Sequence, residues 1–148
     1  MKLTIPTHLM IVGALVFSCS GTLNVLASPA SSSTVVNLDN ADTRISPPGT
    51  AQIKILARGQ EAFLGQLTLA PGATVPEHSD ATEEYIHILS GSGDIVIDGQ
   101  SHHVTAGTTI FMPAGATVSF QNGDQEMTAL QVFANPQPAD KYNAWLSP

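Results

Sequence analysis

The chain has 148 residues, of which 43% are hydrophobic and only 11% are charged, and its formal net charge is −7. This length accommodates one domain with a substantial core but not two domains. The five lysine and arginine residues are scattered along the chain, so no basic patch is available for nucleic acid or for an anionic lipid surface. We therefore expect neither of these partners.

The first 27 residues resemble a secretory signal peptide. Lys2 provides a positive start, and the apolar run LMIVGALVF (residues 9–17) is short for a membrane span. We favour cleavage after Ala27; lipidation of Cys19, which follows a lipobox-like motif, is the second interpretation, and an uncleaved anchor is the third. We expect an exported protein, periplasmic or secreted, that meets a membrane only if Cys19 is lipidated. Cys19 is the only cysteine, so no disulfide forms within the chain.

The rest of the chain has the pattern of an all-β domain. Residues 28–50 are a linker and lead-in, residues 51–135 carry the domain, and residues 136–148 are a proline-rich tail whose Tyr142 and Trp145 are expected to pack over an edge or end of the domain. Turn signals recur about every ten residues, which is typical of a sandwich or a small barrel. A hairpin turn is predicted at 90–93 and a tight turn at Asp98-Gly99. The predicted strands are 53–56, 63–69, 84–89, 94–97, 100–104, 108–112, 117–121 and 127–133.

One segment, GATVPEHSDATEEYIHILSG over residues 72–91, is rich in potential metal ligands. It places His78 close to Asp80 and Glu84, and imidazole and carboxylate groups are ligands that Zn, Fe and Mn accept. In an extended strand these three side chains share one face, provided that no turn breaks the alternation. The competing interpretation is a turn or surface cluster without a ligand.

The remaining histidines of the domain are assigned to the surface. His102 and His103 are neighbours in a predicted strand, so they face opposite sides and do not readily bind one ion. His87 has the opposite parity to Glu84 and is expected to face outward.

From Ala62 to Phe133 the chain resembles the cupin superfamily. The first cupin motif begins and ends with Gly. Between the two glycines stand, in order, any five residues, His, any one residue, a second His, any three or four residues, Glu and any six residues. It is matched at Gly72, His78, Glu84 and Gly91, with Asp80 at the second His position. The second motif begins with Gly and ends with Asn. Between them stand, in order, any five residues, Pro, any one residue, Gly, any two residues, His and any three residues. It is matched at Gly107, Pro113, Gly115 and Asn122, with Val118 at the His position.

The resemblance implies a fold and a candidate metal site. The fold is a single small antiparallel jelly-roll (cupin) barrel, with both motifs lining one cavity. The implied ligand set is His78, Asp80 and Glu84, since Val118 removes the fourth ligand. Such a set would hold a divalent metal (Mn, Fe or Zn) or no metal at all. Without a metal, Glu84 in an apolar barrel would have a raised pKa and would serve as an acid or a base.

The resemblance also implies the class of function. We expect the barrel to bind a small organic ligand, either directly or through the divalent metal. If the protein is an enzyme, which the sequence leaves open, the family suggests dioxygenase, isomerase, decarboxylase or lyase chemistry, with Asp80 as ligand or general base. The alternative is a metal-free, non-catalytic binding or sensing module of the cell envelope, with an apolar interior formed by Ile86, Ile88, Phe111, Val118 and Phe120. Small cupins often pair through sheet edges, so a homodimer is expected by analogy.

Overall fold

The structure is a computed structural model that describes residues 32–148. The predicted signal peptide over residues 1–27, including Cys19, lies outside the described residues, so its processing stays a prediction. Over residues 32–148, no helix has the length and apolar character needed to cross a membrane.

The described residues form ten strands and two short 3-10 helices, at Leu38–Asn40 and Gln137–Ala144, and we call the second one the tail helix. The apolar residues alternate with polar ones along most strands, and in β3 and β10 every second side chain is buried. The strands are β1 (Asp42–Ile45), β2 (Ala51–Arg58), β3 (Phe63–Leu69), β4 (Thr74–His78), β5 (Glu84–Ser90), β6 (Ser92–Ile97), β7 (Gln100–Thr105), β8 (Thr109–Met112), β9 (Val118–Asn122) and β10 (Met127–Phe133).

The strands form two antiparallel sheets. The larger sheet has the order β1-β2-β3-β10-β5-β8, and the smaller has the order β4-β9-β6-β7. The predicted all-β class is therefore confirmed. The predicted barrel is confirmed only as a pair of antiparallel sheets, because the two sheets are not closed into one hydrogen-bonded barrel.

The hairpin predicted at residues 90–93 is wrong. β5 pairs with β10 and β8, whereas β6 pairs with β7 and β9, so the chain passes from one sheet to the other at Gly91. Gly91 has a φ of 82°, and a Cβ atom at this position would lie 2.7 Å from the carbonyl oxygen of Glu126. A glycine is required here because the crossing combines a left-handed backbone with close packing against β10.

The larger sheet begins earlier than predicted. β1 lies inside the predicted lead-in, and β2 is longer than the predicted strand at 53–56. β1 has the polar sequence DTRI, which carries little alternation, and it is fixed by long-range pairing with β2 and by a bridge between Ile45 and Leu146. β4 was likewise absent from the predicted strands and is fixed by pairing with β9.

One hydrophobic core joins both sheets and the tail. Its largest fully buried side chains are Phe63, Phe133, Ile53 and Ile88. Tyr142 of the tail helix is also buried, and its ring centroid lies 5.8 Å from that of Phe63. The tail is therefore part of the packed domain.

Candidate functional site

A pocket of about 60 Å³, which we call the inner pocket, lies between the two sheets. Most of its lining side chains are aliphatic or aromatic, among them Ile86, Ile88 and Val118 as the sequence predicts. Its polar lining residues are Glu84, Ser119 and Gln131. The expectation that Phe111 also faces this interior is wrong: Phe111 is 50% exposed, and it contacts Tyr85 on the outer face of the larger sheet.

Three buried polar side chains form a hydrogen-bonded chain beside the inner pocket, which we call the Glu84–Gln131–Tyr142 chain. Glu84 is the first residue of β5, Gln131 lies within β10, and Tyr142 belongs to the tail helix. The Tyr142 hydroxyl donates to Gln131 Oε1 at 2.6 Å, and Gln131 Nε2 donates to Glu84 Oε1 at 2.6 Å. All three residues are 3–5% exposed. Burial of such groups is tolerated because they satisfy one another.

Burial also governs the protonation of this chain. Desolvation raises the pKa of Glu84, and the hydrogen bond from Gln131 and the charge of Lys141 oppose this rise. Burial likewise raises the pKa of Tyr142, so its hydroxyl remains a donor. Glu84 is therefore held more easily in its neutral form than an exposed glutamate.

The structure brings His78 and Asp80 together by a turn rather than by strand alternation. β4 ends at His78 and β5 begins at Glu84, so a loop over residues 79–83 breaks the alternation on which the shared face depended. The His78 Nε2 atom lies 3.9 Å from Asp80 Oδ2, and His78 Nδ1 forms a hydrogen bond of 2.9 Å with the Pro76 carbonyl oxygen. Asp80 is thus the neighbour of His78, while Glu84 is bonded to Gln131.

Lys141, which the sequence did not indicate, completes this side of the site. Its Nζ atom lies 3.3 Å from Asp80 Oδ2 and 4.9 Å from the centre of the Phe133 ring. Asp80, one of the two carboxylates in the predicted ligand set, therefore faces an ammonium group. The fourth cupin position is apolar, since Val118 is buried and lies opposite His78 in the pairing of β4 with β9.

The structure does not gather the three predicted ligands into one group. Within residues 32–148, no three His, Cys, Asp or Glu side chains are grouped so that they could hold one. Of the three predicted ligands, His78 and Asp80 lie together, whereas Glu84 is engaged by the amide of Gln131. The assignment of His78, Asp80 and Glu84 to a metal stays a prediction.

A second pocket, the outer pocket, has a volume of about 320 Å³ and adjoins the first. It lies between β3, β4, the turn over residues 46–51 and the tail helix. Its tail residues are Lys141, Tyr142 and Trp145. The residues that it shares with the inner pocket are Leu67, Leu69, Val75 and Gln131. Gln131 is therefore the polar side chain that both pockets have in common.

Framework residues of the second motif hold the loops around the site. The Gly115 amide donates to the Asp80 carbonyl oxygen at 2.8 Å, which fixes the loop that carries Asp80. The two N–H groups of the Asn122 side-chain amide are shared among three carbonyl oxygens, those of Leu69, Ala70 and Gln125. The role of Asn122 is thus to tie two turns together, and it is not a ligand position.

The histidines assigned to the surface are exposed. His87 and His103 form hydrogen bonds of 2.8 Å with Thr109 Oγ1 and Asp94 Oδ1, respectively. His102 is exposed as well. The structure thus agrees with their assignment to the surface, and none of the three lines the inner or the outer pocket.

The comparisons with known proteins agree with the fold. The profile of the Cupin domain family matches residues 65–133. An uncharacterized protein of Streptomyces coelicolor is 24% identical over 100 residues, which are 68% of this chain and 94% of that protein. An RmlC-like cupin from Shewanella frigidimarina has a TM-score of 0.65 at 15% identity, covering 70% of this chain and 92% of that one. A predicted oxalate decarboxylase from Thermotoga maritima has a TM-score of 0.63 at 24% identity, covering 69% of this chain and 99% of that one.

Proposed function

Since the chain belongs to the cupin superfamily, we propose that it binds a small organic molecule in the inner and outer pockets. The polar group of this molecule contacts the Glu84–Gln131–Tyr142 chain, and its carbon skeleton fills the apolar space between the sheets. Protein side chains, rather than a metal, provide the polar contacts. We further propose that the two sheets are the halves of a cupin jelly roll.

The observation that carries this proposal is the position of a fully buried polar chain at the boundary of two apolar pockets. Binding sites for small molecules are mostly apolar, with a few polar groups that fix the orientation of the ligand. Gln131 lines both pockets, so one ligand can lie across them and still reach this amide. Glu84 accepts a hydrogen bond when it is ionised and donates one when it is protonated.

The charges around the pockets narrow the class of ligand. The protein has a net charge of −7, which disfavours polyanions. Lys141, the cation that lines the outer pocket, is already paired with Asp80. The ligand that fits is therefore neutral or singly charged, with an apolar body and a hydroxyl, carbonyl or carboxyl group.

A binding screen tests the proposal on the full chain, purified without an affinity His tag and kept in EDTA. The panel holds short hydroxy acids, keto acids, lactones, alcohols and phenols, and thermal shift measures binding. We expect at least one compound to stabilise the protein. Its affinity should fall about ten- to 150-fold in Glu84→Gln, because a hydrogen bond to a charged group contributes about 1.5–3 kcal/mol. It should stay unchanged in Glu77→Gln, the same substitution on an exposed position of β4. The absence of any stabilising compound, or equal affinity in both variants, would contradict the proposal.

Acid–base catalysis is the second candidate, and the raised pKa of Glu84 is the observation that favours it. A carboxyl group whose pKa approaches the working pH transfers protons efficiently. Bound compounds from the screen would be incubated with the protein and followed by NMR. Conversion that is lost in Glu84→Gln and kept in Glu77→Gln would support this candidate, and unchanged compounds would leave a non-catalytic binding module.

We also propose export, on the grounds of the predicted signal at residues 1–27. Cell fractionation distinguishes the two favoured forms of processing. Cleavage after Ala27 puts the protein in the soluble exported fraction. Lipidation puts it in the membrane fraction, from which Cys19→Ala would release it.

A homodimer is proposed through the edge of the larger sheet. β8 is the edge strand, and the exposed rings of Phe111 and Tyr85 lie 5.1 Å apart on β8 and β5. Edge strands that carry apolar side chains favour association. Light scattering should give a dimer for the wild type and a monomer for Phe111→Asp, whereas a wild-type monomer would contradict the proposal.

A further inference from the structure

We infer that Lys141 supplies, from within the protein, the positive charge that a bound metal ion would otherwise bring to Asp80, and that the tail helix thereby keeps divalent metals out of this site. The inference concerns the predicted ligand set itself. Two carboxylates in a half-buried site need a cation, a proton or water to be tolerated. The structure places a lysine ammonium there.

The contacts of Asp80 show where the ammonium acts. Asp80 Oδ2 lies 3.3 Å from Lys141 Nζ and 3.9 Å from His78 Nε2, so one oxygen atom faces both groups. The Asp80 side chain is 18% exposed and that of Lys141 is 38% exposed, so solvent screens this half-buried pair in part. A metal ion bound between His78 Nε2 and Asp80 Oδ2 would therefore lie beside an ammonium of like charge.

The ammonium is held in place by the packing of the tail helix. Tyr142, the next residue, is buried in the core, and Asp140, the previous residue, pairs with Arg58 of β2 at 2.5 Å. Lys141 Nζ also lies over the rings of Phe133 and Tyr142, at 4.9 and 5.7 Å from their centres. Cations are attracted to aromatic faces at such distances. Lys141 is thus positioned by its neighbours on both sides in the sequence and by two rings.

The other positions of the predicted ligand set do not compensate for this ammonium. Glu84 is engaged by Gln131, whose side-chain amide donates to Glu84 Oε1 at 2.6 Å. Val118 leaves no fourth ligand with which the site could offset the repulsion between this ammonium and a metal ion.

Removing the charge should open the site to a metal. Lys141→Met keeps the aliphatic stem and removes the ammonium, and Lys54→Met makes the same change on β2, where Lys54 Nζ donates to the Leu38 carbonyl oxygen. Titration calorimetry of the full chain with Mn²⁺ or Zn²⁺ should give binding to Lys141→Met that is about tenfold tighter or more than to the wild type or Lys54→Met. Adding Asp80→Asn should abolish this gain. Equal affinity in Lys141→Met and Lys54→Met, or stoichiometric binding to the wild type, would overturn the inference.

A folding measurement covers the case in which Lys141→Met is unstable. Near-ultraviolet circular dichroism reports the packing of Tyr142 and Trp145, whose ring centroids are 4.9 Å apart. If the variant has lost this signal, Zn²⁺ or Mn²⁺ should restore it, because a ligand that binds only the folded state stabilises that state. Failure of both metals to restore the signal would overturn the inference. These experiments need no organic ligand, so their failure leaves the proposed binding function standing.

Discussion

Replacing Tyr142 with phenylalanine removes a single oxygen atom from the Glu84–Gln131–Tyr142 chain. The lost hydroxyl donates to Gln131 Oε1 at 2.6 Å, and both residues are almost completely buried. Without this donor the Gln131 carbonyl oxygen stays desolvated, and a stranded buried acceptor costs about 1–3 kcal/mol. We therefore expect the free energy of unfolding to fall by about this amount. Urea denaturation measures it, and an unchanged m-value would indicate that the folded state remains equally compact.

Two comparisons make this prediction specific to the buried chain. Tyr85→Phe deletes the same atom at an exposed site, where the hydroxyl donates to Glu83 Oε2 at 2.9 Å, and should change stability by less than about 0.5 kcal/mol. In a Gln131→Leu background, Tyr142→Phe should cost less than in the wild type, because no acceptor is left stranded. Equal costs for Tyr142→Phe and Tyr85→Phe, or equal costs in both backgrounds, would refute the reasoning.

Three further predictions concern stability. Because burial raises the pKa of Glu84 above 4.5, the folded state binds this proton more tightly than the unfolded state, so stability falls as the pH rises from about 4.5 through the folded pKa. Glu84→Gln lacks this titrating group, so its free energy of unfolding in urea should equal that of the wild type at low pH and exceed it increasingly towards neutral pH. Parallel pH profiles of the two proteins would contradict this. Gly91→Ala should lower the thermal unfolding temperature more than Gly99→Ala. Both positions have a positive φ, which costs an alanine about 1–2 kcal/mol, but only at position 91 does the added Cβ atom also meet backbone atoms. Equal effects of the two substitutions would contradict this. Asn122→Ala removes two N–H donors that three carbonyl oxygens share, and the free energy of unfolding from urea denaturation should fall by about 2–4 kcal/mol. A fall below about 1 kcal/mol would show that these contacts contribute little.

Most of the strands were predictable because their sequence signals are local. In β3 and β10 the alternation of buried and exposed residues runs through the whole strand, and the predicted bounds agree with those in the structure. The failures have long-range causes. The sequence around Gly91 resembles a hairpin turn, but whether a glycine turns a strand back or passes it to the other sheet depends on which strands pair afterwards.

The composition of the site was predictable only in part. Glu84 was identified from the cupin motif, and its burial follows from its position at the start of β5. Its partner Gln131 is 47 positions away, and the partner of Asp80, Lys141, is 61 positions away. No periodicity or motif connects such residues, because the contacts arise only when β10 pairs with β5 and the tail helix packs on the core. The tail was expected to cover the domain, but not to place two side chains in the site.

The loop over residues 79–83 explains why the predicted ligand set differs from the observed arrangement. The shared face of His78, Asp80 and Glu84 was inferred from an uninterrupted strand, and the structure has a turn between β4 and β5. His78 and Asp80 still lie together because the turn is short. Glu84, beyond the turn, enters the interior and bonds to Gln131.

The side-chain amide of Gln131 provides the most direct test of the proposed binding function. Gln131 lines both pockets, while Gln121 carries the same amide at an exposed position, where it donates to the Gly72 carbonyl oxygen. In a ¹⁵N–¹H NMR titration in EDTA with benzyl alcohol, phenol and the stabilising compounds of the screen, we expect the Gln131 side-chain signals to shift saturably. The Gln121 signals should not move. If no compound shifts the Gln131 signals more than those of Gln121, the two pockets do not bind small organic molecules and the proposed function is wrong.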